Sequence, residues 1–344
     1  MAAPGLEHDD RLEVLFERAS RLSRGRRAAL LDQIRGEDPE IASELESLLR
    51  ASESAGGFFE SLGKTLFSGD PAHPEIVPEI DPLYGSHVGE YRIDTVLGRG
   101  GMGTVYRAVK RDIDEVCALK FLPALAAASP EVRARFVAEA RVTARVEHPN
   151  VCEISDISET DDGRLYLVMP YYGDVTLKAR LREGALPVEE ALDWFRQTCA
   201  GLAAVHAAGI IHRDLTPGNL IRDEGGVVKI LDFGLAKVVN VTLGTGNRTL
   251  GTVAYMAPEQ LIGPDLDHRA DLWSLGVILF EMLWGRRPFA SERMADQMGE
   301  ITGVADLAFP DLPAGADPRI GEIVRGLMAL DPEDRPSLAE VAGI

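Results

Sequence analysis

Three polar residues in the middle of the chain set the chemical question. Asp214 and Asn219 stand five apart in IHRDLTPGNL (211–220), a loop broken by Pro217 and Gly218, and Asp232 follows the hydrophobic run GGVVKIL. Two carboxylates and an amide converging on a cleft form a hard-oxygen site suited to Mg2+. That ion binds through a few protein oxygens and completes its shell with water and substrate phosphates. Taken singly, each of these residues is more often a turn-former. Their order behind an upstream glycine loop and lysine makes coincidence negligible.

The glycines are Gly98, Gly100 and Gly103, a G-x-G-x-x-G that is weak by itself. In a dinucleotide-binding fold such glycines open a helix. Here TVYRAVK follows, with the alternation and β-branched content of a strand. The glycines are therefore expected at the tip of a hairpin, where backbone N–H groups can approach phosphates closely. Lys120, one of only six lysines, lies in CALK on the next predicted strand. A lysine on an apolar strand is either an exposed edge residue or a buried ammonium that needs a partner. Glu139, in FVAEARV on the following predicted helix, offers that partner.

The elements that must position these residues read as two parts. From Tyr91, YRIDTVLGRGGMGTVYRAVK and EVCALKFL are β-rich, PEVRARFVAEARVTARV is helical and RLYLVMPYY is a strand; beyond Val188 the pattern is mostly helical. A β-rich part followed by an α-rich part predicts an α+β fold of two lobes with a cleft between them. Upstream, residues 1–66 read as a small all-helical segment, with Leu12, Leu15, Phe16, Ala19 and Leu22 on one face and Asp38–Pro39 opening a later helix. Residues 67–90, with Pro71, Pro74, Pro78 and Pro82, read as a stiff linker. The third region is 91–344, divided into lobes at 170/171.

Composition narrows the partners. A net charge of −19 over 344 residues argues against binding to nucleic acid or anionic membrane. Cys117, Cys152 and Cys199 have no framework or metal spacing and read as small buried hydrophobes. The start MAAPGLEHDD is not a signal peptide. The longest apolar stretch, SLGVILFEMLWG, is interrupted by Glu281 and too short to span a bilayer. A cytoplasmic location is expected for the chain as given.

Taken together, GRGGMGTVYRA, CALK, Glu139, HPN (148–150), HRDLTPGN, DFGLAK, GTVAYMAPEQ, DLWSLG and DPEDRPS resemble the protein kinases, in detail the bacterial eukaryotic-like serine/threonine kinases. The resemblance runs from Tyr91 to the C-terminus, and its motifs are spread over both lobes. It implies ATP and Mg2+ (or Mn2+) as cofactors and protein substrates. Leu97, Gly98, Gly100 and Gly103 would cover the nucleotide, and Lys120, held by Glu139, would contact its phosphates. Val105, Ala118 and Ile221 would line the adenine slot, with Met169 as gatekeeper. Pro170 would offer its C=O and Tyr172 its N–H to the base. Asp214 would accept the acceptor's proton, Asn219 and Asp232 would hold the metal, and Thr252 would hydrogen-bond Asp214. Thr245 and Thr249 are phosphorylation candidates, with Arg213 and Lys237 as partners for a phosphate. Glu259 with Arg335 would be an architectural ion pair, and Asp271 would brace the catalytic loop. The helical N-terminal segment resembles the extension found before many such domains; a homodimer, or docking on the kinase lobe, is the expected use. Relatives often continue into an anchor or sensor.

One position departs from the pattern. The resemblance implies a lysine at 216, or an arginine at 218, reaching toward the transferred phosphate; this chain has Thr216 and Gly218. The expected function is still a non-specific serine/threonine protein kinase that also autophosphorylates, because Lys120, Asp214 and Asp232 are all kept. The alternative is an ATP-binding pseudokinase scaffold. A small-molecule phosphotransferase is disfavoured, since such proteins lack the APE and DLWSLG elements.

Overall fold

The computed structural model describes Ile34, Asp81 and residues 83–100, 103–122, 130–233, 253–262, 266–291, 294–303 and 309–343. The chain divides into two units, 1–79 and 80–344, and the described residues other than Ile34 belong to the second. The helices expected within 1–66, like Thr245, Thr249, Thr252 and Lys237, lie outside the described residues.

The first lobe is a six-stranded antiparallel sheet: β1 (His87–Val88), β2 (Tyr91–Gly100), β3 (Gly103–Lys110), β4 (Glu115–Phe121), β5 (Asp156–Glu159) and β6 (Leu165–Pro170), in the order β1-β2-β3-β4-β6-β5. The sheet begins before Tyr91, so the linker expected through residue 90 stops short. Val88 is buried and pairs with Tyr91 across a turn in which Gly89 has φ 56°. Asp81 is also engaged: its carboxylate accepts from the Leu83 N–H at 2.9 Å and forms an ion pair with Arg99. The Pro-rich composition just upstream hid this two-residue strand.

Period-two alternation explains the faces of β4. Cys117, Leu119 and Phe121 pack with Tyr91, Ile93, Tyr106 and Tyr166 on one side of the sheet. Ala118 and Lys120 therefore face the other side. Their antiparallel partners on β6 are Met169 and Leu167. Helix α1 (Pro130–Thr143) buries Phe136 and Ala140 against Leu122, Leu165 and Leu167. The register Gly100↔Gly103 puts the glycine segment at the tip of the β2–β3 hairpin, as expected. Gly103 has φ 118°, and a Cβ there would come within 1.8 Å of the Phe121 carbonyl oxygen, so only glycine fits.

The second lobe holds α2 (Leu177–Leu181), α3 (Val188–Ala207), the short hairpin β7 (Leu220–Arg222) and β8 (Val228–Ile230), then α4 (Pro258–Ile262), α5 (Arg269–Trp284), α6 (Met294–Thr302), α7 (Pro318–Leu327) and α8 (Leu338–Val341). Helix α5 is apolar on nearly all sides and correspondingly buried, including Leu272, Trp273, Leu275, Val277, Ile278 and Leu279. Gly276 lets α7 come close: a Cβ at 276 would lie 2.7 Å from Leu327 Cβ. No described helix is long and apolar enough to cross a membrane.

One buried ion pair ties α4 to the C-terminal end of the lobe. Arg335, whose side chain is 0% exposed, meets Glu259 through Nη1–Oε1 at 2.6 Å and Nη2–Oε2 at 2.8 Å. It also donates to the carbonyls of Arg269 and Ala329 and lies over Trp273. Removing one partner of such a pair leaves an uncompensated buried charge, which costs roughly 3–5 kcal/mol. Glu259→Ala is therefore expected to lower the unfolding free energy by about that amount in urea titration. A loss below about 1 kcal/mol, the range of an exposed pair, would contradict this account.

Candidate active site

The polar residues singled out in the sequence are gathered by the β7–β8 hairpin. Asn219 immediately precedes β7 and Asp232 follows β8, and the pairing Leu220↔Ile230 brings the two ends together. The Leu231 N–H closes the gap by donating to the Asn219 carbonyl at 2.8 Å. Within the loop, Asn219 Nδ2 donates to the Asp214 carbonyl at 2.8 Å. That contact occupies the amide's donor end and leaves its oxygen for another partner.

His212 and Asp271 fix the loop from below. The buried His212 ring bonds the Leu231 carbonyl through Nε2 at 2.8 Å, while its Nδ1 accepts from the Asp214 N–H at 3.3 Å. These two contacts select the neutral tautomer with the proton on Nε2. Asp271, on α5 and 0% exposed, accepts from the backbone N–H groups of His212 and Arg213, each at 2.8 Å. Arg213 sits at φ 66° and Asp232 at φ 64°. Non-glycine residues in that region are strained and persist where their surroundings over-determine them. Gln260 adds a clamp that the motif reading missed: its Nε2 donates to the Arg213 carbonyl at 2.9 Å and its Oε1 accepts from the Ala257 N–H at 2.8 Å.

Lys120 is buried, and its Nζ lies 2.7 Å from Asp232 Oδ1. A strand-to-helix pair with Glu139 was expected; the ion pair found spans the cleft to Asp232 instead. The face of β4 decides that Lys120 turns inward, but whether it meets α1 or the β8 end depends on how the lobes close. Glu139 is half-buried on α1, where its carbonyl accepts from Thr143 Oγ1 at 3.0 Å. The Lys120–Asp232 contact is an ion pair by distance, yet Nζ has no acceptor in good hydrogen-bond geometry among the described residues. A buried ammonium left that way is suited to receive phosphate oxygens.

The cleft between the lobes contains about 830 Å³ of non-atom space, its open mouth included. Leu97, Gly98, Val105, Ala118, Met169, Pro170, Tyr172 and Ile221, all singled out from sequence, line it together with Asn219 and Asp232. Gly100 and Gly103 sit beside this wall at the hairpin tip. Residues not singled out also contribute, notably Cys152, Tyr171, Asp174, Thr176 and Leu231. The walls are thus largely apolar, with polar groups concentrated at one end, which suits a flat aromatic group carrying a charged tail. Tyr172 is braced under the cleft, its hydroxyl accepting from the Glu153 N–H at 3.2 Å and its ring facing Lys229 at 5.1 Å. Burial pushes the Cys152 thiol up to about 12, so it stays neutral and acts as packing. Burial also pushes the Asp214 carboxyl up to about 6; His212 opposes this, the charge of Asp232 adds to it and Lys120 opposes it further.

The donor set fits a metal held jointly with a substrate. No group of three or more His, Cys, Asp or Glu able to hold a metal exists among the described residues. Asn219 and Asp232 alone supply too few oxygens for a closed protein cage. They do suit a hard cation such as Mg2+ that completes its shell with phosphates and water.

Comparison with known proteins agrees with this geometry. The family model described as "Protein kinase domain" matches residues 91–343. The serine/threonine-protein kinase pkn3 of Myxococcus xanthus is 34% identical over 278 residues, covering 76% of this chain and 50% of the relative. PknA of Mycobacterium tuberculosis is 37% identical over 254 residues, covering 72% of this chain and 58% of the relative. Pkn1 of Myxococcus xanthus is 38% identical over 282 residues, covering 78% of this chain and 40% of the relative. The chain thus spans about half the length of the curated relatives it matches. With the motifs, the two-lobed fold and this match in hand, the chain belongs to the protein kinase family, in its bacterial serine/threonine branch.

Proposed function

We propose that this chain transfers the γ-phosphate of ATP to serine or threonine hydroxyls of proteins, its own activation segment included. The observation that carries this reading is the meeting of Lys120, Asp214, Asn219 and Asp232 at one end of a largely apolar cleft. ATP would lie with its base between Val105, Ala118 and Ile221, against the Pro170 carbonyl and the Tyr172 N–H. Its phosphates would run under the glycine hairpin toward Lys120. Asn219 and Asp232 would hold Mg2+, which when bound neutralises phosphate charge. In the transfer itself, the acceptor oxygen bonds to the γ-phosphorus, the bond from that phosphorus to ADP breaks, and the acceptor's proton passes to Asp214. Thr252 would orient Asp214. A phosphate on Thr245 or Thr249 would pair with Arg213, whose buried Nε has no partner among the described residues.

No feature of the described residues favours the scaffold alternative. A protein acceptor is supported by the likeness to relatives named serine/threonine-protein kinases, and we propose the non-specific serine/threonine class. A homodimer or an internal docking role for residues 1–66 is retained as a proposal.

Two measurements test the reading. Intact mass after incubation with Mg2+ and ATP is expected to rise by one phosphate or more in the wild type and not in Asp214→Asn. ATP binding without any mass gain would contradict it and return the scaffold reading. The second concerns pH. A base must be deprotonated to accept a proton, so kcat/KM should fall as pH drops through about 6, where Asp214 protonates in the free enzyme. The same raised value means that Asp214 favours the folded state most fully below the ordinary carboxylate range, and that this contribution is lost as pH rises through about 6. A flat kcat/KM profile between pH 5 and 8, with chemistry limiting, would exclude Asp214 as the base.

A further inference from the structure

Thr216 and Gly218 leave the loop without a lysine or arginine at either position, and the stem of Lys178, from another element, lies beside Gly218. Of the lysines among the described residues, Lys110 pairs with Glu90, Lys120 pairs with Asp232, and Lys229 lies over the Tyr172 ring. Lys178 on α2 is exposed and has no such partner among the described residues. Its neighbour Arg180, on the same helix, is held by Glu183 and Glu190.

The placement of Lys178 is fixed by backbone. Thr176 Oγ1 caps α2 by accepting from the Ala179 N–H at 3.1 Å, and Leu177 is fully buried. Thr176 bridges to Ile221, and the Arg222 N–H donates to the Val175 carbonyl at 3.0 Å. The start of α2 is thereby tied to β7, which directly follows Asn219. A Cβ built on Gly218 would lie 3.8 Å from Lys178 Cδ and 3.7 Å from Thr216 Oγ1. The stem of Lys178 therefore runs beside the loop, at ordinary contact distance from position 218, and the ammonium is two bonds beyond Cδ.

We propose that Lys178 supplies, from α2, the positive charge that faces the transferred phosphate on the acceptor side. The inference rests on the phosphotransfer reading above. Asp214, Asp232 and a polyphosphate would concentrate negative charge at this end of the cleft, with Lys120 engaged on the opposite side. As the acceptor oxygen bonds to the γ-phosphorus, the bond to ADP breaks and Asp214 takes the proton, charge spreads over the equatorial oxygens. An ammonium that is loosely solvated before the acceptor docks gains strength once docking excludes water. A shorter Thr216 and an absent side chain at 218 are what such a lysine needs to reach inward.

The test is single-turnover transfer from labelled ATP to dephosphorylated casein by the full chain. It compares wild type, Lys178→Met, Lys178→Arg, Thr216→Lys and the double variant Lys178→Met/Thr216→Lys. Lys178→Met is expected to slow transfer about 100-fold, the lower end for loss of one transition-state donor, with ATP affinity changed less than about twofold. Lys178→Arg should keep most of the rate. Thr216→Lys should restore the double variant, which a fold defect would not allow. Transfer by Lys178→Met within about twofold of wild type overturns the inference alone. So does a loss that Thr216→Lys fails to recover, because it would assign Lys178 to acceptor recognition or packing. No transfer by the wild type overturns this inference and the proposed function together.

Discussion

The carboxylate of Asp271 is the contact on which the catalytic end of the cleft depends. It is 0% exposed in the first turn of α5, where an unpaired charge would be very costly. It is satisfied by the N–H groups of His212 and Arg213 and by His206 Nε2, each at 2.8 Å. Satisfying it commits the loop. Arg213 takes φ 66°, His212 turns its ring to the Leu231 carbonyl, and the Asp214 N–H finds His212 Nδ1. A run of hydrogen bonds thus leads from the hydrophobic centre of the second lobe to the reacting groups. The strain stored at Arg213 is held by a helix that cannot move without exposing its apolar sides.

The first lobe contributes in a different way. Alternation along β4 and β6 turns Ala118, Lys120 and Met169 toward the cleft. The two lobes meet electrostatically at Lys120 and Asp232. That contact and the proximity of Asp214 and Asp232 make this end of the cleft the place where a polyphosphate and a divalent cation would be most strongly organised. The apolar remainder is left for an aromatic base. A neutral Thr216 is compatible with this arrangement because the charges that would engage a nucleotide, Lys120 and Asp232, arise from β4 and the β8 end.

Much of this was legible in the sequence because it is local or periodic. The hairpin glycines, the inward face of β4, the Asp214–Asn219 loop and the run into Asp232 each follow from spacing within a few residues. The Glu259–Arg335 pair and the Asp271 brace came from family resemblance, and the geometry places both. What escaped was tertiary adjacency. For Lys120 the sequence left an exposed edge and a buried, paired ammonium both open, and its pairing with Asp232 rather than Glu139 is made by lobe closure. Lys178 sits beside Gly218 only because the segment before α2 bridges to β7, a pairing between residues some forty positions apart. Gln260 carries no signal beyond following the APE motif, yet its amide joins two backbone segments. The short β1 strand was masked by prolines upstream.

The most direct test of the central claim is Asp271→Asn, with ATP affinity and phosphoryl transfer measured on the same preparation. The amide keeps the shape of the carboxylate but has one acceptor end, so a backbone N–H of the loop loses its partner at a charge-assisted bond worth about 1.5–3 kcal/mol. The account predicts transfer slowed roughly 10- to 100-fold, with ATP affinity nearly unchanged, because the apolar walls proposed to hold the base, Leu97, Val105, Ala118, Met169 and Ile221, lie away from Asp271 on other elements. Transfer at the wild-type rate would show that the loop holds its geometry without Asp271 and would contradict the account.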